Sequence, residues 1–310
     1  MIKQVILFGL FFCIQSIALG EDLHLNKDQV FSIPERNLEH NNNDEYFYRI
    51  NRLVLENGSV LVISDFFSNK KLTIVVNELV VNGKAIIIQP FSQNISTPFD
   101  FNYIYNPYDE KYGAFPKGRA GTPGPLVNPP AAGEIDNGIS GLNGQDGGIG
   151  KNSVKLKLDF GILKLDELYI VIKSESGGNG GSGGKGQNGG GKRCPDRSAG
   201  NGGRGGNGGR AGIAGNINDI EFKWHELSPI ITSNNEIPLG VSITAIPGIS
   251  GLPGGGGAGG NGGQGGNCLI NQKQDGSGGP SGSLGGYAQA DVMAKFGYVG
   301  NFTFIKEMNK

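Results

Sequence analysis

Glycine recurs at every third position in six separate runs of this chain, and this period constrains the fold more than any other feature. The runs come in pairs, and a short stretch without the period separates the two members of each pair. The pairs are Gly118–Gly124 with Gly138–Gly150, Gly177–Gly189 with Gly200–Gly215, and Gly248–Gly266 with Gly276–Gly285. A three-residue period is that of the polyproline-II helix, which has no internal hydrogen bonds. Because its backbone groups need partners elsewhere, and glycine allows close approach, the period predicts a bundle of extended polyglycine helices.

The collagen triple helix is the other fold that places glycine at every third residue. It requires three chains and many prolines between the glycines. The runs of this chain are short, change phase at each break and contain few prolines. Paired runs also need no partner chain, so the pattern favours a bundle formed within one chain.

The segments between the glycine runs are typical of β-strands. Residues 53–63 contain two β-rich segments around an Asn57-Gly58 turn signal, and residues 154–158 alternate between apolar residues and lysine. Further strands are predicted at 72–76, 79–88, 168–172, 220–224, 241–246, 290–296 and 302–305. The β cassettes 50–105, 153–174, 217–246 and 288–306 alternate with the glycine-rich arms 117–151, 176–216 and 247–286, which is an internal repeat.

We therefore predict an all-β protein, with a small β-solenoid or sandwich as its base. Three glycine-rich arms are expected to project from one side of this base and to pack as a polyglycine-II helical bundle. The predicted regions are an N-terminal β-rich region at 21–116, the arms and their cassettes at 117–286, and a closing β segment at 287–310. The apolar arm residues are expected near the arm bases, where they would join the β core. They are Ile139, Leu142, Ile213, Ile249, Leu252 and Leu284.

Residues 1–20 are typical of a secretory signal peptide. Lys3 precedes an apolar segment at 5–14, and Ala18-Leu19-Gly20 has the small-x-small pattern of a cleavage site. The apolar segment is too short to span a membrane, and no later segment is long enough. The sequence therefore predicts cleavage after Gly20 and a secreted or cell-surface protein without a transmembrane segment in its mature chain.

The cysteines indicate a link between two arms. Cleavage of the signal would remove Cys13 and leave Cys194 and Cys268, each in the break between the two runs of one arm. In an exported chain, two cysteines at matched positions predict a disulfide that joins two arm tips. Two unpaired thiols, or a bond between two chains, are the alternatives.

No catalytic or cofactor-binding motif is evident. The chain has 27 Lys and Arg residues against 28 Asp and Glu, so its charge does not indicate a nucleic-acid partner. Matches to G-x-G-x-x-G are a by-product of the glycine period, since no helix follows them. Gly150-Lys151 and Gly184-Lys185 lack the Ser or Thr of a P-loop, and no histidine has zinc-ligand spacing. We expect a protein that is not an enzyme and that needs no cofactor or metal.

The arm tips are the candidate recognition surface, because loops on a rigid scaffold commonly carry binding residues. The tips are residues 126–136, 192–197 and 267–275. Their candidate ligand-binding residues are Asn128, Glu134, Asp136, Lys192, Arg193, Arg197, Asn271, Lys273 and Gln274. Arginine suits the phosphate or carboxylate groups of surface glycans. Alternatively, these residues only turn the chain and keep it soluble.

A second candidate surface is the aromatic stretch that begins at Phe99. Aromatic side chains alternate with other residues at Phe99, Phe101, Tyr103 and Tyr105. Such faces bind sugars and other flat apolar groups. The alternation equally fits a strand that covers the core, and we favour this interpretation.

The triplets Gly-Gly-Asn, Gly-Gly-Ser and Gly-Gly-Arg, with variable loops at the tips, resemble the polyglycine-II sandwich of phage tail-fibre adhesins. Paired Gly-X-X runs with cysteines also resemble, more distantly, the springtail antifreeze proteins. The resemblance is architectural, covers about 117–286 and transfers no functional residue. A signal peptide is unexpected in a phage fibre. Long β cassettes, and the charges of Lys185, Arg204 and Arg210, are unexpected in an ice-binding protein.

The resemblance to the phage adhesins implies tip loops that bind a surface receptor. We therefore expect a secreted or surface-exposed, non-enzymatic, adhesin-like binding protein. Its partner would be a cell-surface glycan or protein, and no nucleic acid is expected. An extracellular structural, matrix or coat protein is the alternative, and an ice-binding protein is the third possibility.

Overall fold

The computed structural model describes residues 20–36, 38–41, 44–90, 99–101, 137–190, 200–227, 238–263, 277, 280–285 and 296–307. Within these ranges the protein is all-β, and the only helical element is a short 3-10 turn at Asp65–Phe67. The strands are β1 (Glu21–Leu25), β2 (Val30–Ser32), β3 (Glu39–His40), β4 (Glu45–Leu55), β5 (Val60–Val62), β6 (Lys71–Gln89), β7 (Lys155–Lys173), β8 (Ile220–Leu227), β9 (Val241–Ile246) and β10 (Phe302–Lys306).

The strands form a mostly parallel sheet in which successive turns of the chain stack on one another. The main order is β1-β4-β6-β7-β8-β10, while β2 pairs with β5, β5 with β6 and β9 with β7. All of these pairs are parallel, and only the short β3 pairs antiparallel, with β4. Each turn therefore contacts the turns before and after it. This is the stacking of a β-solenoid, the first of the two predicted forms of the base.

Each turn of the chain consists of a first strand segment and a second strand segment, which meet at a corner. The predicted Asn57-Gly58 turn lies at the corner between β4 and β5, and Gly83 lies at the corresponding corner inside β6. Both glycines have positive φ, 82° and 81° respectively, which a residue with a side chain rarely adopts. The corners also stack, since the Asn57 carboxamide oxygen accepts a 3.0 Å hydrogen bond from the Lys84 N–H. The predicted Asn57-Gly58 signal therefore marks a corner between two successive strands of one turn.

The core lies on the inner faces of the stacked strands. Leu156, Leu158 and Phe160 of β7 are at most 1% exposed, while the intervening Lys155 and Lys157 are on the outer face. This alternation confirms the prediction for 154–158. Each fully buried side chain of this size contributes roughly 1.5–3 kcal/mol to folding.

A second apolar cluster covers the other face of the later strand segments. Its members are Val60, Val62, Ile86, Ile88, Val171 and Ile246. Phe99 and Phe101 pack against it, and the Phe101 and Tyr169 rings are 5.4 Å apart. The start of the aromatic stretch therefore covers the core, as favoured from the sequence. Tyr103 and Tyr105 lie outside the described residues.

The prediction that the apolar arm residues join the core is wrong. Ile139, Leu142, Leu252 and Leu284 are 52–66% exposed, and Ile213 and Ile249 are only half-buried. The physical reason is that glycine occupies the sides of each run that touch neighbouring runs. The remaining position in each triplet therefore faces solvent.

Candidate functional site

The arms extend the sheet directly. The returning run of the first arm (residues 137–152) leads into β7, and that of the second arm (residues 200–217) leads into β8. The described returning residues of the third arm (277 and 280–285) precede β10. These runs lie side by side, since the Gly144 N–H donates to the Asn207 carbonyl at 2.8 Å and the Gly208 N–H to the Ser283 carbonyl at 2.9 Å. We call them the returning layer.

The register of β7 and β8 continues without a shift into the first and second returning runs. In the sheet, Leu156 pairs with Ile220, a separation of 64 residues (220 − 156). In the returning layer, the Asn207 N–H bonds to the side chain of Asn143, which is also 64 residues away. The outgoing runs of the second and third arms (176–190 and 248–263) behave alike. Paired residues in these two runs are 73 positions apart, and so are the paired residues of β7 and β9 (241 − 168). We call these two runs the outgoing layer.

The two layers run antiparallel and are hydrogen bonded to each other at every third residue. The Gly184 N–H donates to the Leu142 carbonyl at 2.7 Å, and the Gly206 N–H donates to the Gly184 carbonyl at 2.8 Å. The Gly257 N–H in turn donates to the Gly206 carbonyl at 2.7 Å. Because these bonds join different runs, they satisfy the backbone groups that an extended run cannot satisfy internally.

Close contact between neighbouring runs, both within a layer and between the layers, explains the glycine period. A Cβ atom at Gly206 would lie 1.9 Å from the Leu142 carbonyl oxygen, and one at Gly180 would lie 2.1 Å from that of Gly209. Real Cβ atoms do not approach backbone atoms so closely. Gly255 differs, because a Cβ atom there would meet nothing within 4 Å.

An Asn-Gly pair forms hydrogen bonds with both the N–H and the carbonyl of one residue in the adjacent run. The Asn143 carboxamide oxygen accepts from the Asn207 N–H at 2.8 Å, while the Gly144 N–H donates to the Asn207 carbonyl at the same distance. Asn207-Gly208 repeats this arrangement on Ser283, so the bonds connect all three returning runs. Equivalent pairs are Asn137-Gly138 on Asn201, Asp146-Gly147 on Arg210, Asn179-Gly180 on Leu252 and Asn188-Gly189 on Asn261.

Arg204-Gly205 does not follow this pattern, and the residue opposite it compensates. Arg204 precedes Gly205, and its guanidinium group is not a hydrogen-bond acceptor. The residue opposite is Pro280, which has no N–H to donate and whose carbonyl accepts from the Gly205 N–H at 2.9 Å. Sequence reasoning missed these side-chain roles. The available signal was asparagine before glycine at matched positions in successive runs.

The predicted site residues of all three tips lie outside the described residues, and so do Cys194 and Cys268. The described ends that flank the tips lie close together. Gly190 and Gly200, on either side of the second tip, are joined by a 3.0 Å hydrogen bond. The Gly200 carbonyl also accepts from the Gly263 N–H at 2.9 Å, and the Gly138 N–H donates to the Asn201 carbonyl at 2.7 Å. The described residues that flank the three tips therefore lie together at one end of the paired layers.

The basic residues of the second arm are divided between the layers. Arg204 and Arg210 are exposed on the returning layer, six residues apart, and Lys185 is exposed on the outgoing layer. No described residue forms an ion pair with them. The described basic residues of this arm therefore do not form one cluster.

The outer face of the first strand segments carries ion pairs across neighbouring strands. Lys155 contacts Asp219 at 3.4 Å, and Lys157 contacts Glu221 at 3.0 Å. The pKa of Asp219 lies below its ordinary value, chiefly because its carboxylate accepts a bond from the Asn301 N–H, with Lys155 adding to the effect. Pairs this exposed contribute little to stability. They hold the charges of the face in a fixed pattern.

Two searches of the described residues are also relevant to function. These residues include no group of three or more His, Cys, Asp or Glu side chains placed to hold a metal ion. Nor do they include a helix long and apolar enough to cross a membrane.

No protein-family model matches this chain, and no curated protein matches it. Among solved structures, the chain is similar to a springtail antifreeze protein from Granisotoma rainieri, described as a nine polyproline type II helical bundle. The two are 20% identical, and the match covers 56% of this chain and 96% of the springtail chain, with a TM-score of 0.12. At this TM-score, the likeness carries no argument about the fold or the function of this chain.

Proposed function

We propose that this protein is an exported, non-enzymatic binding protein. Its arms form a polyglycine-II bundle that presents three tip loops to a glycan or protein on a cell surface. One observation carries the proposal: the described ends that flank the tips are hydrogen bonded to one another at one end of the glycine layers. Loops attached to a common, fixed platform are the usual arrangement of a recognition surface.

The register supports a stiff platform. The separation of 64 residues between β7 and β8 is also that between the first and second returning runs, so these two runs continue the order of the core. A platform that is already ordered lowers the entropic cost of fixing the binding loops. The tip residues that would contact the ligand are those predicted from the sequence, with Arg193 and Arg197 best suited to acidic groups.

We further propose that Cys194 and Cys268 form a disulfide between the second and third tips. The support is that Gly200 and Gly263, which flank these tips, are bonded at 2.9 Å. Exported chains provide the oxidising setting that such a bond needs. Thiol titration of the unfolded mature protein tests it: no free thiol is expected before reduction and two afterwards. Two free thiols before reduction would contradict the pairing.

A structural or coat protein is the second candidate, and exposed apolar side chains on the arms favour it. Ile139, Leu142, Leu252 and Leu284 are each more than half exposed. Side chains of this kind suit lateral association with other molecules. In that function the faces of the arms would be the active surface, and the tips would only connect the runs.

The deciding experiment compares the binding of three labelled proteins, each spanning residues 21–310, to a panel of cells and glycans. One is unmodified, one has all three tips replaced by Gly-Ser turns, and the control carries Leu252→Ser and Leu284→Ser. We expect the tip variant alone to lose binding. Equal binding by the tip variant, or no binding by any protein, would contradict the tip-borne function. Light scattering of the same proteins measures self-association, and its loss in the control alone would favour the structural function.

A further inference from the structure

We infer that Asn301 carries an N-linked glycan, which covers the open edge of the sheet. This inference rests on the export step of the proposed function, because Asn-X-Ser/Thr sequences are modified in secreted proteins. The chain contains three such sequences, which begin at Asn57, Asn94 and Asn301. Asn94 lies outside the described residues, and the other two have contrasting surroundings.

The sequence at Asn301 is open to solvent along its whole length. Asn301, Phe302 and Thr303 are all exposed, and β10 is the last strand in the sheet order. The backbone of Asn301 is fixed, since its N–H donates to Asp219 at 3.0 Å and its carbonyl accepts from the Ile220 N–H at 3.0 Å. Among the described residues, none forms a hydrogen bond with its carboxamide, which is the group that would be modified.

A depression of about 190 Å³, lined by charged, polar and apolar residues, lies next to Asn301 and Thr303. Its lining includes Lys155, Lys157 and Glu221. These charged side chains provide hydrogen-bond donors and acceptors suited to the hydroxyl groups of a sugar. The first sugar of a glycan at Asn301 would therefore meet a complementary polar surface.

The sequence at Asn57 differs after its first residue, since Asn57 is exposed but Gly58 and Ser59 are buried. The hydroxyl-bearing residue Ser59 is 0% exposed, whereas Thr303 is exposed. The Asn57 carboxamide oxygen bonds to the Lys84 N–H at 3.0 Å and lies against Gly83. A sugar on Asn57 would have to be accommodated within this corner contact. We therefore expect Asn57 to remain unmodified.

The transfer reaction is balanced without oxidation or reduction. The carboxamide nitrogen of Asn301 forms a bond with the anomeric carbon of an oligosaccharide carried on a lipid diphosphate. The bond from that carbon to the phosphate oxygen breaks, and the lipid diphosphate leaves with the electron pair. The nitrogen loses one proton to a base of the transferase. The donor is the lipid-linked oligosaccharide of the secretory membrane.

A glycan at this position would protect the edge of the sheet. The outer edge of β10 has no neighbouring strand among the described residues, and such an edge can pair with another chain. Apolar surface lies beside it, since Phe302 is 40% exposed and Tyr298 is 70% exposed. A bulky hydrophilic group at Asn301 would keep a second sheet away from both.

The test is to express the full chain in a glycosylating eukaryotic cell, with its own residues 1–20 or with a heterologous leader. The secreted protein is treated in water enriched in oxygen-18 with an amidase that releases N-glycans. This reaction converts each glycosylated asparagine to a labelled aspartate, which is located by mass spectrometry. We expect conversion at Asn301 and none at Asn57. The variant Asn301→Gln should lose the mass of one glycan, while Asn57→Gln should lose none. An unmodified Asn301 in exported protein would overturn the inference.

The two leaders separate this inference from the proposed function. Failure of export with the chain's own leader alone would contradict the export step, whereas the heterologous leader still reports on Asn301. Light scattering then tests the role of the glycan. We expect Asn301→Gln to self-associate more strongly than Asn57→Gln at the same concentration. Equal self-association would overturn the edge-covering role.

Discussion

Individual glycines of the arms differ in whether they leave room for a side chain. At Gly206 a side chain would collide with the Leu142 carbonyl oxygen, while at Gly255 it would enter open space. Gly206 belongs to the three-residue period, whereas Gly255 lies outside it. The period therefore identified Gly206 as a position of close packing. It could not show which of the additional glycines also require it: a Cβ atom at Gly205, likewise outside the period, would lie 1.9 Å from the Gly257 carbonyl oxygen.

Replacing Gly206 by alanine should destabilise the protein by about 1–3 kcal/mol, the usual cost of forcing atoms into a packed site. Gly255→Ala is the matched control and should be neutral or slightly stabilising, because it restricts only the unfolded chain. Urea unfolding of both variants measures the difference. Equal free energies of unfolding for the two variants would show that the layers are not packed as described.

The side-chain carboxamide oxygen of Asn207 should contribute to stability. Its oxygen accepts from the Ser283 N–H at 3.0 Å and from the Ser283 hydroxyl at 2.9 Å. Asn207→Leu preserves the shape but removes this acceptor, and should cost about 1 kcal/mol. Asn207→Asp should be tolerated, because Asp146 accepts from the Arg210 N–H at 2.7 Å in the same way. Similar losses in both variants, measured by urea unfolding, would contradict this role.

Strand β7 shows how much of an element could be read from the sequence. The two predicted segments, 154–158 and 168–172, are the ends of one strand that extends over Lys155–Lys173. Its middle includes Gly161 and Asp166, which interrupt the apolar pattern and argue against a strand by local preference. The strand continues because β6 pairs in parallel along it on one side, with a register shift at the corner. Pairing of this kind involves residues distant in sequence, so local patterns could not predict it.

The end of β7 should make stability depend on pH. Burial lowers the pKa of Lys173 to about 8, from the ordinary value of 10.5. Between these two values the folded chain binds fewer protons than the unfolded chain, so the free energy of unfolding should rise with pH. The slope is at most about 1.4 kcal/mol per pH unit.

Urea unfolding at several pH values from 7 to 10 tests this effect. The variant Lys173→Met keeps the length of the side chain and removes its charge, so it should lose this part of the pH dependence. The difference in stability between the two proteins should shrink as the pH rises through about 8. A difference that is constant with pH would contradict the effect of burial.

At the scale of the whole molecule, the strand-rich regions could be predicted from the sequence, but the pairing of the strands could not. The glycine period and the alternating cassettes predicted an all-β base with arms on one side. The order of the stacked turns depends on which distant segments pair, as when β7 pairs with β8 at one end and with β9 at the other. The tips, which carry every predicted ligand-binding residue, lie outside the described residues, so their recognition function stays a prediction.

The glycine layers should exchange their amide hydrogens as slowly as the sheet does. Gly141, Gly144 and Gly147 each donate a hydrogen bond of 2.8 Å to the second arm, in register with the strands that follow. Hydrogen exchange of the whole protein, followed by mass spectrometry, should show protection of 138–150 comparable to that of β7. Exchange at the rate of an unstructured peptide would show that the arms do not form a continuous body with the sheet.

The shared register also restricts how the length of the arms can change during evolution. The second and third returning runs are offset by 76 residues at Asn207 and Ser283, and by 82 at Asn216 and Tyr298. The difference of six residues (82 − 76) is two whole triplets. An insertion of one or two residues would move side chains into the positions that only glycine fills. Viable insertions should therefore come in threes, as in this difference of two triplets.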